Sequence, residues 1–158
     1  MKLISVAISN FNSIENIQLG LDRKGLALVL GKNSQVKQYS NNGSGKTSMF
    51  EAVSWCLFGK TMHSRPIAEY VRTGSPGLDV SVILDPEDGT ESLTVKRSHA
   101  KKKTTLNVVN ANGDSLFPGD TDSVQTALQQ WLGLDYEVFI NSVFFGQGLG
   151  KFFMYASD

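Results

Sequence analysis

One short segment, Gly43-Ser44-Gly45-Lys46-Thr47, restricts the possible folds more than any other part of the sequence. Before it stands an apolar run, Leu26–Leu30, without the alternation of a half-exposed strand. Such a run is typical of a strand covered on both faces in a parallel α/β sheet. After it, apolar residues at helical spacing predict an amphipathic helix that ends at Gly59. The residues of this apolar face are Met49, Phe50, Val53, Leu57 and Phe58.

The segment between strand and helix has the composition that phosphate binding requires. Glycines allow backbone N–H groups to turn inward and let the chain approach a phosphate closely. The helix that follows offers its positive amino end to the same phosphates. Lys46 is placed to contact the β- and γ-phosphates of a nucleoside triphosphate, and the Thr47 hydroxyl to ligate Mg²⁺. The pattern therefore predicts a site for ATP and Mg²⁺.

The loop departs from the strict pattern G-x-x-x-x-G-K-[ST], because Ser40 stands where the first glycine is expected. Two interpretations stay open. Gly31-Lys32-Asn33 could begin the loop, with residues 34–42 as an insertion, which explains why the apolar strand ends at Gly31. Alternatively the loop is compact and Ser40 replaces the glycine. A surface turn before an unrelated helix is the simplest competitor, but strand, loop and helix all stand where phosphate binding needs them.

Short alternating segments predict an antiparallel pair at the amino end of the chain and a meander in its middle. A turn at residues 10–13 joins the first two strands, and residues 61–77 predict a long connection. The alternating segments are residues 2–9, 14–21, 78–84, 93–97 and 106–109.

Two further helical segments follow the meander. Residues 122–132 predict a helix that ends at Gly133, and residues 138–145 predict a helical start before a Gly-Gln-Gly break. Three residues could cap the first of these helices, namely Asp120, Thr121 and Asp122.

Composition excludes several classes of protein. With 158 residues the chain has about the size of one domain. Lys plus Arg and Asp plus Glu each total 15, which excludes a polybasic protein but not a local basic patch. The single cysteine, Cys56, excludes a disulfide-stapled domain. Because no apolar run could span a bilayer or serve as a signal peptide, we expect a cytoplasmic protein with no membrane partner.

Four segments resemble the N-terminal lobe of SbcC-type ATPases, which are relatives of SMC proteins and the ATP-driven subunits of a double-strand-break nuclease complex. They are Asn10-Phe11-Asn12-Ser13, residues 28–33, residues 40–52 and Leu57-Phe58-Gly59-Lys60. Phage members also carry a lengthened loop before the glycine-rich segment. Residues 141–148 resemble the Q-loop of the family, so the resemblance covers nearly the whole chain.

The resemblance implies an α/β P-loop NTPase fold, an ABC-ATPase-like N-terminal lobe with a mixed parallel core sheet and an antiparallel β subdomain, over residues 1–158. Thr47 and Gln147 would contact Mg²⁺, since a neutral amide oxygen can ligate a hard cation. Asn12 stands where family members often carry Lys or Arg, and it brings no charge to the phosphates. The implied nucleotide-binding residues are Asn33, Ser40, Asn42, Gly43, Ser44, Gly45, Lys46, Thr47, Ser48 and Gln147.

Several parts of a complete ATPase of this kind are not recognisable in the sequence: a Mg²⁺-binding Asp on a buried strand, a carboxylate base, a Ser-Gly-Gly signature and a switch histidine. Asp85 ends an apolar strand, but that strand alternates with Asp79 and Ser81 and Pro86 follows, so a turn is predicted instead. The resemblance places the other parts in a C-terminal lobe beyond a coiled coil. It also implies a second head and an SbcD-type nuclease as partners, and we expect negligible ATPase activity from this chain alone.

The remaining candidate residues are two histidines and a basic cluster. Neither His63 nor His99 has metal-ligand spacing around it, so both are predicted to be solvated at the surface. The cluster surrounds one predicted hairpin, which is either a solvated turn or a contact to DNA phosphates that reads no sequence. Trp55 lies off the main apolar face of its helix. The cluster consists of Lys96, Arg97, His99, Lys101, Lys102 and Lys103.

Two other functions fit the same motif. The nearer one is an SMC- or RecF-like head that tethers DNA without a nuclease partner. The other is a stand-alone nucleotide-binding regulator or a small-molecule kinase. A kinase would need an acceptor site and its own Mg²⁺-binding Asp, and the sequence shows neither convincingly.

Overall fold

The computed structural model describes residues 1–22, 25, 28–30, 45–63 and 65–142. Strands make up most of the regular structure among these residues, and three α-helices and one 3₁₀ segment accompany them. The elements are β1 (Lys2–Phe11), β2 (Ile14–Gly20), α1 (Lys46–Phe58), the 3₁₀ segment (Ile67–Tyr70), β3 (Gly77–Asp85), β4 (Leu93–Ala100), β5 (Lys103–Val109), α2 (Thr121–Leu132) and α3 (Tyr136–Ser142).

The five described strands form one sheet in the order β2-β1-β3-β4-β5, and every pairing in it is antiparallel. The amino-terminal pair and the meander predicted from the alternation are confirmed. β1 joins the pair to the meander through its pairing with β3. At the tip between β4 and β5, Lys101 and Lys102 both have positive φ, as the central residues of a tight two-residue hairpin turn require.

The core lies between the sheet and α1. Along β3 and β4 every second residue is buried, which places Val80, Val82 and Val95 under the helix. The helix itself is not one-sided as predicted, because residues 51–58 are all buried. Trp55 is therefore a core residue with 2% of its surface exposed, whereas Phe50 is 41% exposed although its spacing placed it on the apolar face.

Helices α2 and α3 cover the side of α1 that the sheet leaves open. Asp120 is the residue that caps α2, since its side chain accepts a hydrogen bond from the Ser123 backbone N–H at 2.9 Å. Gly133 ends α2 as predicted, in a left-handed conformation with φ 66°. The Phe139 ring of α3 packs on Phe58 of α1 at a centroid distance of 5.0 Å. The predicted helical start after residue 138 is confirmed as far as Ser142, and residues 143–145 lie outside the described residues.

The apolar run before the glycine-rich segment differs from its prediction. Leu28 and Leu30 are 82% and 79% exposed, Val29 is 44% exposed, and none of the three lies in a strand. Residues 26 and 27 lie outside the described residues. The physical reason is that residues 28–30 pair with none of the five described strands, so they have no described neighbour of the kind that a parallel sheet would provide. An apolar segment that lacks such a neighbour keeps its side chains at the surface.

The predicted long connection at residues 61–77 is also more ordered than expected. It contains the 3₁₀ segment, and Val71 forms an isolated antiparallel bridge with Phe11 at the end of β1. The Tyr70 ring lies 5.2 Å from the Phe11 ring. Among the described residues, no helix has both the length and the apolar character needed to cross a bilayer.

Candidate nucleotide-binding site

The amino end of α1 is built to receive an anion. Gly45 precedes the helix in a left-handed conformation with φ 85°, and no side chain caps the helix there. The first turn also contains no acidic residue. The first N–H groups of a helix have no partner within the helix, and they carry the positive end of its dipole. Here the first turn itself supplies no carboxylate to that positive end.

The turn between β1 and β2 fixes this helix end in place. Asn12, which has φ 52°, donates a hydrogen bond from Nδ2 to the Ser48 hydroxyl at 3.0 Å. A Cβ atom on Gly45 would lie 3.1 Å from Ser13 Oγ and 3.3 Å from Ile14 Cγ1. The position therefore requires glycine both for its positive φ and for the close approach of this turn. Asn12, the residue that carries no charge to the phosphates, instead links the turn to α1.

The structure brings four of the sequence-predicted site residues together in this first turn. Gly45 and Lys46 are partly exposed, Thr47 is exposed, and Ser48 is buried beside Asn12. The Thr47 hydroxyl is therefore open to a ligand from solvent. The other predicted residues lie outside the described residues, and they are Asn33, Ser40, Asn42, Gly43, Ser44 and Gln147.

A buried carboxylate behind the site was missed by the sequence-based reasoning. Glu51 lies one helical turn after Thr47 and is 2% exposed. Its Oε1 atom accepts a hydrogen bond from the Tyr70 hydroxyl at 3.1 Å and lies 2.9 Å from His63 Nδ1. Burial, the largest cause, raises the pKa of Tyr70. This cluster ties the 3₁₀ segment to the middle of α1.

His63 therefore differs from its prediction as a solvated histidine. Its side chain is half exposed, but its ring is paired with the buried Glu51 carboxylate. The spacing of four residues between Thr47 and Glu51 places both on one helix face, and this was the signal that could have drawn attention to Glu51. Nothing in the local sequence around His63 indicated its partner. Within the described residues, no group of three or more His, Cys, Asp or Glu side chains is placed to hold a metal ion.

The basic hairpin is confirmed as a hairpin, but two of its members point inward. Arg97 is 3% exposed and His99 is 8% exposed, and the His99 ring lies 2.9 Å from the Thr104 hydroxyl. The alternation of Leu93, Val95, Arg97 and His99 was the signal for this, because a strand turns every second side chain to the same face. The residues of the cluster left at the surface are Lys96, Lys101, Lys102 and Lys103.

Arg97 instead joins the carboxyl end of α1 to α2. Its Nε atom donates to the Cys56 carbonyl oxygen at 3.0 Å, and Nη2 donates to Gln125 Oε1. Burial lowers the pKa of Arg97 to about 10, partly opposed by the adjacent Cys56. Burial also raises the pKa of the Cys56 thiol to about 12. Neither group faces the amino end of α1.

Asp85 is the last residue of β3 and shapes the turn that follows, as predicted. Its Oδ1 atom accepts a hydrogen bond from the Glu87 backbone N–H at 2.8 Å, and Glu87 has φ 63°. Its strand, β3, pairs antiparallel with both neighbours. Asp85 thus shapes the connection to β4.

Comparison with known proteins places the chain in a family. The model of a family described as "AAA domain" matches residues 5–156. The chain belongs to this AAA domain family. It is 26% identical over 148 residues to the DNA double-strand break repair Rad50 ATPase of Methanococcus maripaludis, which covers 94% of the chain and 14% of the relative. It is 27% identical over 121 residues to the SbcC component of the nuclease SbcCD of Deinococcus radiodurans, which covers 67% of the chain and 12% of the relative.

A solved structure shows the same fold at lower identity. The recombination mediator protein RecF with ATP matches with a TM-score of 0.56 and 19% identity over 73% of the chain and 28% of the RecF chain. The chain therefore has an α/β P-loop ATPase-like fold and is the counterpart of an ATPase lobe of the Rad50 and SbcC type. It spans only a small part of the length of these relatives.

Proposed function

We propose that this AAA domain chain is the ATP- and Mg²⁺-binding N-terminal lobe of an SbcC- or Rad50-like ATPase that acts in DNA end processing, repair or recombination. Residues 1–158 then form one nucleotide-binding lobe. The observation that carries the proposal is the uncapped amino end of α1, where Gly45, Lys46 and Thr47 meet without an acidic neighbour in the first turn. Phosphates are among the anions that such a helix end binds.

The proposed site assigns a role to each group. Backbone N–H groups of the glycine-rich segment and the Lys46 ammonium hold the phosphates, and Ser48 supports the first turn through Asn12. Thr47 and Gln147 are the proposed Mg²⁺ contacts, and the exposed Thr47 hydroxyl is the type of oxygen ligand that this ion accepts. When bound, Mg²⁺ supplies positive charge beside the phosphate oxygens. Residues 33, 40 and 42–44 complete the proposed nucleotide contacts.

The proposed partners follow from the resemblance to the same family. A C-terminal ATPase lobe and a second head would close the nucleotide site, and an SbcD-type nuclease would respond to that closure at DNA ends. The relatives named for double-strand break repair and for the SbcCD nuclease support this assignment. We also propose a cytoplasmic location, because the relatives are named for DNA repair and for a nuclease.

Nucleotide binding is the first test. We expect isothermal titration of ATP with Mg²⁺ to show binding that Lys46→Ala weakens by at least about 30-fold, because a charge-assisted contact is lost. Lys96→Ala is the matched control, since Lys96 is an exposed lysine on β4 and should leave affinity unchanged. Thr47→Ala should remove only the difference between titrations with Mg²⁺ and with EDTA. Equal affinity in wild type and Lys46→Ala would show that the site lies elsewhere.

Turnover is the second test. We expect the purified chain to bind ATP without measurable steady-state hydrolysis, because the sequence contains no recognisable carboxylate base and no Ser-Gly-Gly signature. Phosphate release that disappears in Lys46→Ala would contradict the proposal that this lobe is catalytically incomplete by itself.

DNA contact is the third test. The exposed lysines at the hairpin tip are proposed to meet DNA phosphates without reading sequence. Replacing Lys101, Lys102 and Lys103 by Ala should reduce the slope of log affinity against log salt by about 2.7, since each contact contributes about 0.9. Arg72→Ala is the control, because Arg72 is paired with Glu15 away from the hairpin. An unchanged slope would leave the lysines as a solvated turn.

A RecF- or SMC-like head is the second candidate function, and the fold likeness to RecF favours it. The two candidates differ in their partner. Co-expression with an SbcD-type nuclease should yield a stable complex if the first proposal is correct. A chain that holds DNA but never the nuclease would favour the tethering head.

A further inference from the structure

A second polar pocket lies at the opposite end of α1 from the phosphate-binding segment. It has a volume of about 510 Å³ and is lined by residues from the end of α1, the segment after it, β4, β5 and α3. The 13 residues of α1 separate the two places by roughly 20 Å at 1.5 Å rise per residue. The pocket is therefore not part of the proposed ATP site.

Three cationic side chains line this pocket, and each lies over an aromatic ring instead of beside a carboxylate. No ion pair in the described part of the chain involves any of the three, and Glu137, an acid that also lines the pocket, pairs with none of them. The contacts to ring centroids are Lys60 Nζ to Tyr136 at 5.3 Å, Arg65 Cζ to Tyr70 at 5.4 Å and Arg97 Cζ to Trp55 at 5.8 Å.

Arg97 is the least usual of these cations because it is almost fully buried. Its Nε and Nη2 atoms donate to the neutral oxygens of Cys56 and Gln125, and Nη1 makes no hydrogen bond to the described residues. Nη1 would lie 3.1 Å from a Cβ atom on Gly59, another residue of the pocket wall. Buried cations in proteins are nearly always paired with an anion. A guanidinium that presents an unused donor at the wall of an open pocket is placed to pair with an anion from outside.

A neutral donor stands in the same wall. The Thr61 side-chain oxygen is buried and makes no hydrogen bond to the described residues. It is close enough to the Tyr70 hydroxyl to lower its pKa, but the two hydroxyls do not meet the geometry of a hydrogen bond. A buried hydroxyl without a partner is costly, and a ligand oxygen would satisfy it.

We infer that this pocket binds an oxyanion, a carboxylate or phosphate group, with Arg97 and Arg65 as its charged donors and Thr61 as its neutral donor. Guanidinium groups match the planar geometry of carboxylates and phosphates and bind them through paired N–H donors. The same chemistry has two possible sources, a small phosphate compound or an acidic side chain of a protein partner. Both would present negatively charged oxygen atoms to Arg97, Arg65 and Thr61.

The test uses the full chain labelled with ¹⁵N and two probes, pyrophosphate and a hexaglutamate peptide, at low ionic strength. Lys46→Ala is the background for every titration, because it weakens anion binding at the amino end of α1 without touching the pocket. We expect the Arg97 Nε–H and Trp55 indole signals to shift with at least one probe. Arg65→Gln should weaken that binding by at least about tenfold, since one charge-assisted contact is lost. Arg65 is exposed, so its replacement leaves the core intact.

The control variant is Arg72→Gln, an arginine paired with Glu15 outside the pocket. It should leave the affinity of either probe unchanged, whereas Arg97→Lys, which keeps a charge but not the forked donor, should weaken it. Binding of pyrophosphate alone identifies a small oxyanion, and binding of hexaglutamate alone identifies an acidic side chain of a partner. The inference is overturned if neither probe shifts the two signals, or if Arg72→Gln weakens binding as much as Arg65→Gln. Neither result would change the prediction for ATP, which depends on Lys46.

Discussion

Helices α1 and α2 begin in opposite ways. Asp120 caps the start of α2 through the Ser123 N–H, and Asp122 adds a second acid in the first turn. The start of α1 has neither a capping side chain nor an acid. A helix start attracts negative charge, and α2 receives it from its own sequence. The lack of an acidic residue is therefore specific to the start of α1, because α2 in the same fold carries one.

The two helices also differ in how much of their surface is enclosed. α1 is buried on all sides from residue 51 to 58, whereas α2 buries one stripe, Val124, Leu128 and Leu132. Both end in the same way, with a glycine of positive φ, Gly59 and Gly133. The enclosed part of α1 therefore belongs to the core, and its free part is restricted to the first turn.

The largest expected effect tests the enclosure of α1 through Cys56. Its thiol is fully buried, and the sulfur lies 3.4 and 3.5 Å from the carbonyl oxygens of Val80 and Val95, either of which can accept its one hydrogen. Because burial raises its pKa from 9.0 to about 12, the reactive thiolate is about a thousandfold scarcer at mildly basic pH. We expect alkylation by iodoacetamide to be slower than in urea by at least about that factor. As Cys56 is the only cysteine, the chain reports its rate directly. Comparable rates with and without urea would show that α1 is open.

The next effect concerns the link between the helices. Arg97 joins the Cys56 carbonyl of α1 to Gln125 of α2. We expect Arg97→Ala to lower the free energy of unfolding by about 3 kcal/mol, because two charge-assisted hydrogen bonds and buried packing are lost. Urea denaturation followed by circular dichroism measures it. Arg72→Ala is the control, since its ion pair with Glu15 is exposed and contributes less than about 1 kcal/mol. A similar small loss for both arginines would show that the two helices are not coupled through Arg97.

Much of this fold is local in origin and was predictable from the sequence. The turn at residues 10–13, the alternation of β3 and β4, and Gly133 after α2 each depend on neighbouring residues alone. The same is true of the placement of Gly45 and Lys46 at a helix start. These features follow from spacing because the backbone and nearby side chains decide them.

The features that were missed depend on contacts between distant segments. Glu51 meets Tyr70, nineteen residues away, and no local pattern connects them. Arg97 lies on a strand among lysines, and its charge concealed the alternation that turns it inward. The exposed position of Leu28 depends on which strands stand beside it, and composition alone does not specify that neighbour.

A smaller effect distinguishes Gly45 from Gly133, although both have a positive φ that other residues rarely adopt. Gly133 has φ 66° with no atom within 4 Å of an added Cβ, so Gly133→Ala should cost only backbone strain of about 1 kcal/mol. Gly45→Ala adds contacts with Ser13 and Ile14 to a similar strain. We expect a comparable or slightly larger loss of stability together with a clear loss of ATP affinity, measured by denaturation and titration. If Gly133→Ala also lowered the ATP affinity, the loss in Gly45→Ala could not be assigned to the start of α1.

The smallest expected effect lies at Asp120, because its carboxylate is exposed to solvent. The Ser123 backbone N–H, the largest cause, lowers the pKa of this carboxyl below its usual value of 3.8. Because the pKa is lower in the folded state, the carboxylate stabilises α2 above about pH 4, and this contribution is lost as the pH falls through the folded pKa. Asp120→Ala should therefore lower the urea midpoint at neutral pH, and its difference from wild type should shrink towards about pH 3. Asp79→Ala, an exposed aspartate on β3, should show no such narrowing.

The Asp120 experiment decides whether charge, rather than the hydrogen bond alone, separates the two helix starts. A protonated carboxyl can still accept the Ser123 hydrogen bond, but it no longer opposes the positive end of the helix. A difference between Asp120→Ala and wild type that narrows with acid therefore measures the charge that α2 supplies for itself and that α1 lacks. If the difference is the same at neutral and acidic pH, the cap acts through geometry only. The uncapped start of α1 would then be no evidence for a bound anion, and the case for ATP would have to depend on the Lys46 titration alone.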